Sequence, residues 1–352
     1  MHNEDTYQQM AGSETGVSSQ PPYVPNEEYY RQQQKNQPNT KARLGIALLL
    51  VGLMWLAFEL LGRNLVMSGS GSEGILLEET FNGTSIVMEV GSSDVDIQSW
   101  DENSIRIEAR YSGGSPEDYT IDIEQQRNGI RVSEVIAPCF GIGFCSRDLD
   151  YNILLPRNGN VDLQTSSGDV VIADINGEIQ LSTASGNIDA TNLTQGLAAS
   201  TQSGDVSLDV IAGMLDISTA SGNVELDSGQ ITDARVKTVS GEIELEGVSN
   251  DLVLESISGN ITVQDAQNGR LNIQNTSGNI EFTGSLADAE QHTINSVSGN
   301  VELRLPEDTG FSLQADTLTG DIDNEFGAQN IRRDGPALRI NTVSGNIDLA
   351  SW

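Results

Sequence analysis

The chain has 352 residues, with 51 Asp and Glu against 18 Lys and Arg and a formal net charge of -33. This charge excludes non-specific binding to nucleic acid or to anionic lipid headgroups, because both require a basic surface. Two His and two Cys are too few for a histidine-based catalytic triad or a cysteine zinc cluster. The 36 Gly and the 5% aromatic content favour a β-rich chain with many turns and weaken most enzyme interpretations.

Residues 1–43 are polar and rich in Gln, Asn, Pro and Tyr. Such a segment buries too little apolar surface to offset its ordering entropy, so we predict a disordered tail. The stretch PPYVP at residues 21–25 is either a short docking motif or, more simply, part of a solvated tail.

Residues 44–67 are predicted to form a transmembrane anchor. The apolar stretch Leu44–Gly62 is interrupted only by Glu59 and spans roughly 28 Å as a helix, about one hydrocarbon core. The polar segment before it is too long for a signal peptide. Four basic residues precede the anchor and one follows closely, which predicts a cytoplasmic N-terminus and an extracytoplasmic C-terminal part. These residues are Arg31, Lys35, Lys41 and Arg43 on one side and Arg63 on the other.

The rest of the chain begins with a Gly/Ser-rich linker at residues 68–73 and then contains an internal repeat. The tripeptide Ser/Thr-Gly-Asp/Asn/Glu occurs ten times, at intervals of 18 to 25 residues. Its glycines are Gly168, Gly186, Gly204, Gly222, Gly241, Gly259, Gly278, Gly299, Gly320 and Gly345. The residue two positions after each glycine is always β-branched, and the residue five positions before it is always apolar. This alternation is typical of half-buried strands.

A single repeat cannot bury its own apolar side chains, but stacked repeats can. The sequence therefore predicts an all-β fold, a parallel β-solenoid of about ten rungs over residues 158–352. Each rung would turn at a Gly-Asx corner, where glycine tolerates a positive φ. Residues 74–157 alternate without the tripeptide, and we expect them to form an N-terminal β cap.

Strands such as Val95–Ile97 and Asn152–Pro156, followed by serial Ser-Gly-Asp/Asn-Val/Ile repeats, resemble the putative-adhesin, or toastrack, family. The resemblance covers about residues 75–350. It implies a β-helical extracytoplasmic module tied to envelope stress or surface attachment, without defined catalytic residues. The anchor sequence GIALLLVG at residues 45–52 is also similar to membrane segments of Lia-type envelope-stress proteins.

The position three residues after the glycine is acidic in seven of ten copies. On consecutive rungs, Glu281, Glu302, Asp323 and Asp348 would form an outward acidic row. A solvated face is the simplest interpretation; weak Ca²⁺ binding, salt-dependent packing or a hydrolase carboxylate pair are the alternatives. The Asp or Asn directly after the glycine is interpreted as a corner with stacked hydrogen bonds rather than a binding column.

The two cysteines and His292 are the remaining residues with distinctive chemistry in the exported part. Cys139 and Cys145 flank a small apolar loop, and in an exported domain a disulfide between them is the first choice. A redox site would more usually show Cys-x-x-Cys. His292 falls in an otherwise apolar column, and we expect a partly exposed residue at the start of a strand.

These features together predict a single-pass membrane protein whose external solenoid is a non-catalytic adhesin, scaffold or envelope-stress sensor. Its expected partner is a cell-envelope protein or a wall polymer, with membrane attachment through Leu44–Gly62 and no nucleic acid. No catalytic or cofactor-binding residue is assigned, and Ca²⁺ is the one cofactor considered. The alternatives are a β-helical polysaccharide-degrading enzyme and a surface protein whose acidity reflects a halophilic habitat.

Overall fold

A computed structural model of the chain describes residues 73–137, 147–288, 291–326 and 335–352. The predicted tail and anchor lie outside these residues, as do Cys139, Cys145 and all of the linker except Glu73. In the described ranges, no helix has the length and apolarity needed to cross a membrane. The anchor, its orientation and the disulfide therefore stay predictions.

Twenty-five β-strands and one 3₁₀ turn form the regular structure of the described residues. Before the first tripeptide lie β1 (Glu73–Asn82), β2 (Ser85–Val90), β3 (Asp94–Trp100), β4 (Ser104–Ser112), the 3₁₀ turn (Pro116–Asp118), β5 (Tyr119–Gln125), β6 (Gly129–Ile136), β7 (Asp148–Pro156) and β8 (Asn160–Thr165). The next strands are β9 (Val170–Ala173), β10 (Ile179–Thr183), β11 (Ile188–Leu193), β12 (Gly196–Thr201), β13 (Val206–Thr219), β14 (Val224–Leu226), β15 (Gly229–Ser240) and β16 (Ile243–Glu246). The last are β17 (Val248–Ser258), β18 (Ile261–Ser277), β19 (Ile280–Leu286), β20 (Gln291–Ser298), β21 (Val301–Leu305), β22 (Ser312–Thr319), β23 (Ile322–Asn324), β24 (Ala337–Ser344) and β25 (Ile347–Ser351).

The strands form two parallel stacks joined at their corners, which confirms the predicted β-solenoid. Stack A holds the strands before the tripeptides, in the order β6-β2-β8-β10-β12-β13-β15-β17-β18-β20-β24-β22. Stack B holds the strands after them, in the order β7-β3-β9-β11-β13-β14-β16-β18-β19-β21-β25-β23. The long strands β13 and β18 pass around a corner and belong to both stacks. The described residues thus form twelve rungs, two more than the tripeptides alone indicate.

The spatial order of the rungs differs from their order along the chain at both ends. The rung of β24 and β25 lies between the rung of β20 and β21 and the rung of β22 and β23. The expectation that the last four copies stack in chain order is therefore wrong. The strands of the outermost rung, β22 and β23, therefore precede in the chain the strands of the rung beneath them, β24 and β25.

At the other end, residues 74–157 form more than the expected cap. Strands β2 and β3 lie as a rung between β6 and β7 on one side and β8 and β9 on the other. Only β1, β4 and β5 are antiparallel: β4 pairs with β7, β1 with β4, and β5 with β6. These three strands cover the end of the solenoid, where Leu77, Phe81 and Ile121 pack against the core.

The predicted apolar columns point inward. Nine of the ten β-branched residues two positions after the glycine are at most 1% exposed, and Ile322 in the outermost rung is 44% exposed. Side chains of this size stabilise by roughly 1.5–3 kcal/mol each when fully buried, so repetition of the column over the rungs adds a stabilising contribution at every rung.

The tripeptide glycines are required mainly by close approach of neighbouring backbones. A Cβ added at Gly186 would lie 1.9 Å from the carbonyl oxygen of Gly168, and one added at Gly204 would lie 2.0 Å from that of Gly186. The glycines of the first five copies have no positive φ, so the explanation by positive φ is wrong for them. Later copies such as Gly278 (φ 128) combine the close approach with a positive φ.

His292 is fully buried, contrary to the expectation of partial exposure. Its Nδ1 accepts the backbone N–H of Leu271 at 3.3 Å, and Nε2 lies 3.2 Å from the carbonyl oxygen of Ala287. A backbone N–H must donate, so the ring is neutral with its proton on Nε2. These two hydrogen bonds allow a polar ring to occupy an apolar column.

We expect Ile243→Asp to destabilise the fold by at least about 3 kcal/mol, because the change removes a packed side chain and buries an unpaired carboxylate. The neighbouring Glu244→Gln, which is outward-facing, should change stability by less than about 0.5 kcal/mol. Denaturant unfolding of the full chain in detergent micelles, followed by circular dichroism, measures both. Similar losses from the two variants would contradict the inward and outward assignment.

The corner after stack B contains residues in the left-handed region at 18-residue intervals: Asp174 (φ 61), Asn192 (φ 54) and Val210 (φ 53). A β-branched residue is strongly disfavoured there, whereas Asn and Asp tolerate it.

Val210→Asn should therefore stabilise the chain by about 1 kcal/mol. Val171 is similarly exposed but lies in a regular strand, so Val171→Asn is the matched control and should be neutral or destabilising. Thermal unfolding of both variants tests the difference; an equal response at the two positions would show that the φ of residue 210 carries no strain.

Candidate functional site

The outward surface of stack B carries a row of carboxylates. Their register places Glu281 beside Glu302, Glu302 beside Asp348, and Asp348 beside Asp323. The four predicted residues thus lie on adjacent rungs, about 4.8 Å apart, but in an order different from the sequence. Further along the same row, Glu225 lies beside Glu244.

Several carboxyl groups on this surface have raised pKa values. Partial burial, followed by the charges of Asp323 and Glu302, raises the pKa of Asp348. Partial burial also raises the pKa of Glu225, with contributions from Asp227 and Glu244. Arg304 offsets part of the charge by pairing with Glu302 at 2.6 Å. Neighbouring carboxylates in the row therefore repel each other, and the fold forms despite this repulsion.

The acidic row does not converge on a point. In the described part of the chain, no group of three or more His, Cys, Asp or Glu is placed to hold a metal ion. Ca²⁺ requires six to eight oxygen ligands around one centre, whereas Glu281, Glu302, Asp348 and Asp323 follow one another along a line. Their geometry suits repeated contacts along an extended partner better than a cage for one ion.

The residues directly after the glycines form a structural ladder, as predicted. The side-chain oxygen of Asp169 accepts the backbone N–H of Asn187 at 2.8 Å, and equivalent bonds link most successive rungs. At the far end, Asn346 donates its N–H to Asn300, and Asp321 donates to Asn346. Since these side-chain oxygens accept backbone N–H groups of the neighbouring rungs, their role at the corner is structural.

A second surface, on the outside of stack A, was not identified from the sequence. Here the residue four positions before the glycine is polar and the residue two positions before it is apolar in most of the later copies. We call this surface the amide groove; it is formed by Lys237, Val239, Glu255, Ile257, Gln274, Thr276, Asn295, Val297, Asn341 and Val343. Period-two counting could have found it, because the apolar residues occupy outward positions of the strands.

Two adjoining cavities lie along this surface. One of about 510 Å³ includes Val239, Ile257 and Val297 in its lining, and one of about 520 Å³ includes Arg270 and Asn272. Gln274 and Asn295 line both cavities.

A cluster around Glu134 near the N-terminal end was also missed. Its carboxylate accepts hydrogen bonds from the Ser93 hydroxyl (2.9 and 2.8 Å to the two oxygens), the Tyr151 hydroxyl (3.0 Å) and the Gly91 N–H (2.5 Å). Burial and the adjacent Glu134 charge raise the pKa of Tyr151, which keeps it protonated as a donor. Ser93 is fully buried, so this cluster joins β6 and β7 to the β2–β3 turn and does not present a nucleophile.

Comparison with known proteins identifies one family. The profile described as Toastrack DUF4097 matches residues 83–350. No curated protein matches the chain.

Solved structures with low similarity also match. They include a putative cell adhesion protein from Clostridium sporogenes (13% identity; 80% of this chain and 99% of that chain; TM-score 0.22). A putative adhesin from Parabacteroides merdae has 11% identity, covers 81% of this chain and 97% of that chain, and has a TM-score of 0.36. A putative lipid binding protein from Parabacteroides distasonis has 14% identity, covers 78% of this chain and 98% of that chain, and has a TM-score of 0.32. At these TM-scores the similarities identify neither a ligand nor a partner of this chain.

The raised carboxyl pKa values predict that the chain becomes more stable as the pH falls from neutral towards the ordinary carboxyl values of 3.8 for Asp and 4.5 for Glu. In that window the folded state binds more protons than the unfolded state, so lowering the pH favours folding. At lower pH the gain ends and reverses, because the hydrogen bond from Arg270, together with its positive charge, holds the pKa of Asp251 below its usual value.

Unfolding midpoints of the full chain in detergent micelles at several pH values between neutral and mildly acidic measure this trend. The double variant Glu225→Gln/Asp348→Asn should show a weaker pH dependence than the wild type. Stability that falls steadily on acidification from neutral pH would contradict the assignment.

Proposed function

The chain belongs to the Toastrack DUF4097 family, and we propose that its β-solenoid is a non-catalytic, adhesin-like module that binds another component of the cell envelope. In this proposal Leu44–Gly62 holds the chain in the membrane, with residues 1–43 in the cytoplasm and the solenoid outside. The bound component is a wall polymer or an envelope protein.

The observation that carries the proposal is the continuity of the surface rows over the stacked rungs. Enzymes need a few reactive groups gathered around one point, whereas a binding surface for a polymer needs similar groups repeated along a line. Here Glu302 lies in register between Glu281 and Asp348 in one row on the same outward surface, so neither of these two carboxylates faces Glu302 across a cleft. The polysaccharide-degrading alternative would require such a pair.

Two other titratable groups of the described residues, Glu134 and His292, are held by hydrogen bonds within the fold. Glu134 is saturated with hydrogen bonds, and His292 is buried between Leu271 and Ala287. This supports binding rather than turnover.

A role in envelope-stress sensing is compatible with the same surface. This role requires a partner protein in or beneath the membrane that responds to the bound solenoid. The proposed disordered cytoplasmic tail has no folded effector domain that could transmit the signal itself. The resemblance of the anchor to Lia-type segments is the observation that favours this role.

We expect the full-length protein, held in detergent micelles, to be retained by cell walls or envelope membranes from its host without releasing soluble glycan fragments. In intact spheroplasts, added protease should remove a C-terminal tag and leave an N-terminal tag protected. Retention is measured by co-sedimentation and turnover by release of reducing sugar.

Glycan release that is abolished by a single substitution such as Glu302→Gln would support the enzyme alternative. Protection of the C-terminal tag with loss of the N-terminal tag would reverse the orientation. Failure to co-sediment with either walls or membranes would contradict the binding role itself.

A further inference from the structure

We propose that the amide groove binds a linear, uncharged glycan built from N-acetylated hexosamines. The proposal rests on the binding role proposed above and adds to it the surface and the chemical class of the ligand. Four features of the groove lead to it: the amide row, the apolar wall, the paired charges and the spacing of the rungs.

The amide row supplies the hydrogen-bonding groups that sugars need. Gln274 and Asn295 lie in register on neighbouring strands, and Asn295 lies in register with Asn341 on the next. The Asn341 amide donates to the Asn295 side-chain oxygen at 2.9 Å, which fixes the direction of both amides. Each amide carries two donors and an acceptor, so the row can contact sugar hydroxyls and acetamido groups in alternation.

The apolar wall borders the amide row at Asn295 and Asn341, where Val297 and Val343 lie two residues further along the same strands. It continues past Thr276 to Ile257 and Val239 on the strands that carry Glu255 and Lys237. The side chains of Val239, Ile257 and Val297 face outward from their strands and are 47%, 54% and 49% exposed. They line the same cavity as Gln274 and Asn295. An apolar wall with a few placed polar groups is the usual composition of a small-molecule site. The methyl of an acetamido group and the C–H face of a sugar ring fit such a wall, whereas an unsubstituted hydroxyl gains nothing from it.

The charges of the groove cancel in pairs. Lys237 pairs with Glu255 at 3.1 Å, and the Arg270 guanidinium forms a bidentate pair with Asp251. The outside of stack B, by contrast, carries the acidic row. An uncharged polymer is therefore matched to the groove, an anionic polymer is repelled by the molecule as a whole, and a cationic polymer would prefer stack B.

The spacing of the rungs matches a polymer. Successive rungs are about 4.8 Å apart, close to the length of one sugar ring in an extended chain. A glycan laid across the strands would bring a new ring to each rung, so Gln274, Asn295 and Asn341 would contact three successive rings. Affinity should then rise with chain length, because each added ring binds intramolecularly.

The test uses the full-length protein in detergent micelles and isothermal titration with defined probes. These are chitohexaose (the hexamer of N-acetylglucosamine), chitobiose, cellohexaose and the de-N-acetylated glucosamine hexamer. We expect chitohexaose to bind at least about tenfold more tightly than chitobiose or cellohexaose, with little dependence on salt.

The double variant Gln274→Ala/Asn295→Ala should weaken chitohexaose binding by about tenfold or more, since it removes two amide contacts. Gln274→Ala alone should give a smaller loss, and it leaves the Asn295–Asn341 hydrogen bond intact if the double variant folds poorly. The matched control, Glu244→Gln/Glu281→Gln on stack B, should leave chitohexaose binding unchanged.

Equal binding of cellohexaose and chitohexaose would overturn the assignment of the acetamido group. If the stack B control loses chitohexaose binding, or if the groove variants keep it at full strength, the assignment of the amide groove as the binding surface is wrong. If chitohexaose does not bind but host walls or membranes still retain the protein, the glycan proposal fails and the binding role stands. If walls and membranes also fail to retain it, the binding role fails as well.

Discussion

The close approach of backbones at the glycine corners is the constraint on which the rest of the solenoid depends. At Gly186 and Gly204, a Cβ would lie within about 2 Å of the carbonyl oxygen of the preceding glycine, so no other residue fits there without moving the backbone. Because each of the ten tripeptide glycines meets the neighbouring rung at such a point, these rungs cannot slip along one another. The Asx ladder, in which Asp169 accepts the N–H of Asn187, then holds the same register through side chains.

This fixed register turns each position of the repeat into a row of like residues. Inside the solenoid this repetition is favourable, because Val and Ile side chains of similar shape pack on one another. Outside, the same repetition places Glu225 beside Glu244 and Glu302 beside Asp348, where the like charges repel each other. The buried columns outweigh this repulsion, so the acidic row is not needed for folding. It favours solubility, whereas the amide groove on stack A carries the Lys237–Glu255 pair and can be approached by uncharged partners.

The periodicity of the sequence was sufficient to predict the strands, the inward columns and the solenoid, because these depend on local alternation alone. It could not predict the order of the rungs. Ile322 and Ile347 occupy the same position in equivalent repeats, and only the location of their rungs in the folded solenoid distinguishes them. Their exposures, 44% and 0%, follow from tertiary placement. His292 was mispredicted for a related reason, since one of its hydrogen-bond partners, Leu271, belongs to the neighbouring rung. The amide groove was missed because its outward apolar residues were grouped with the polar positions around them.

The exchange of the last two rungs has a physical consequence for the open end of the solenoid. In chain order, β24 and β25 would be outermost, and Ile340 and Ile347 would lie at an exposed edge. Instead these strands pair on both sides, and the edge is formed by β22 and by β23, which has three residues. Asp316, Asp321 and Asp323 accompany this edge. Short, charged edge strands discourage pairing with strands of other molecules. The exchange therefore places a rung with a three-residue strand and exposed carboxylates at the outer edge, and these two features oppose pairing with strands of other molecules.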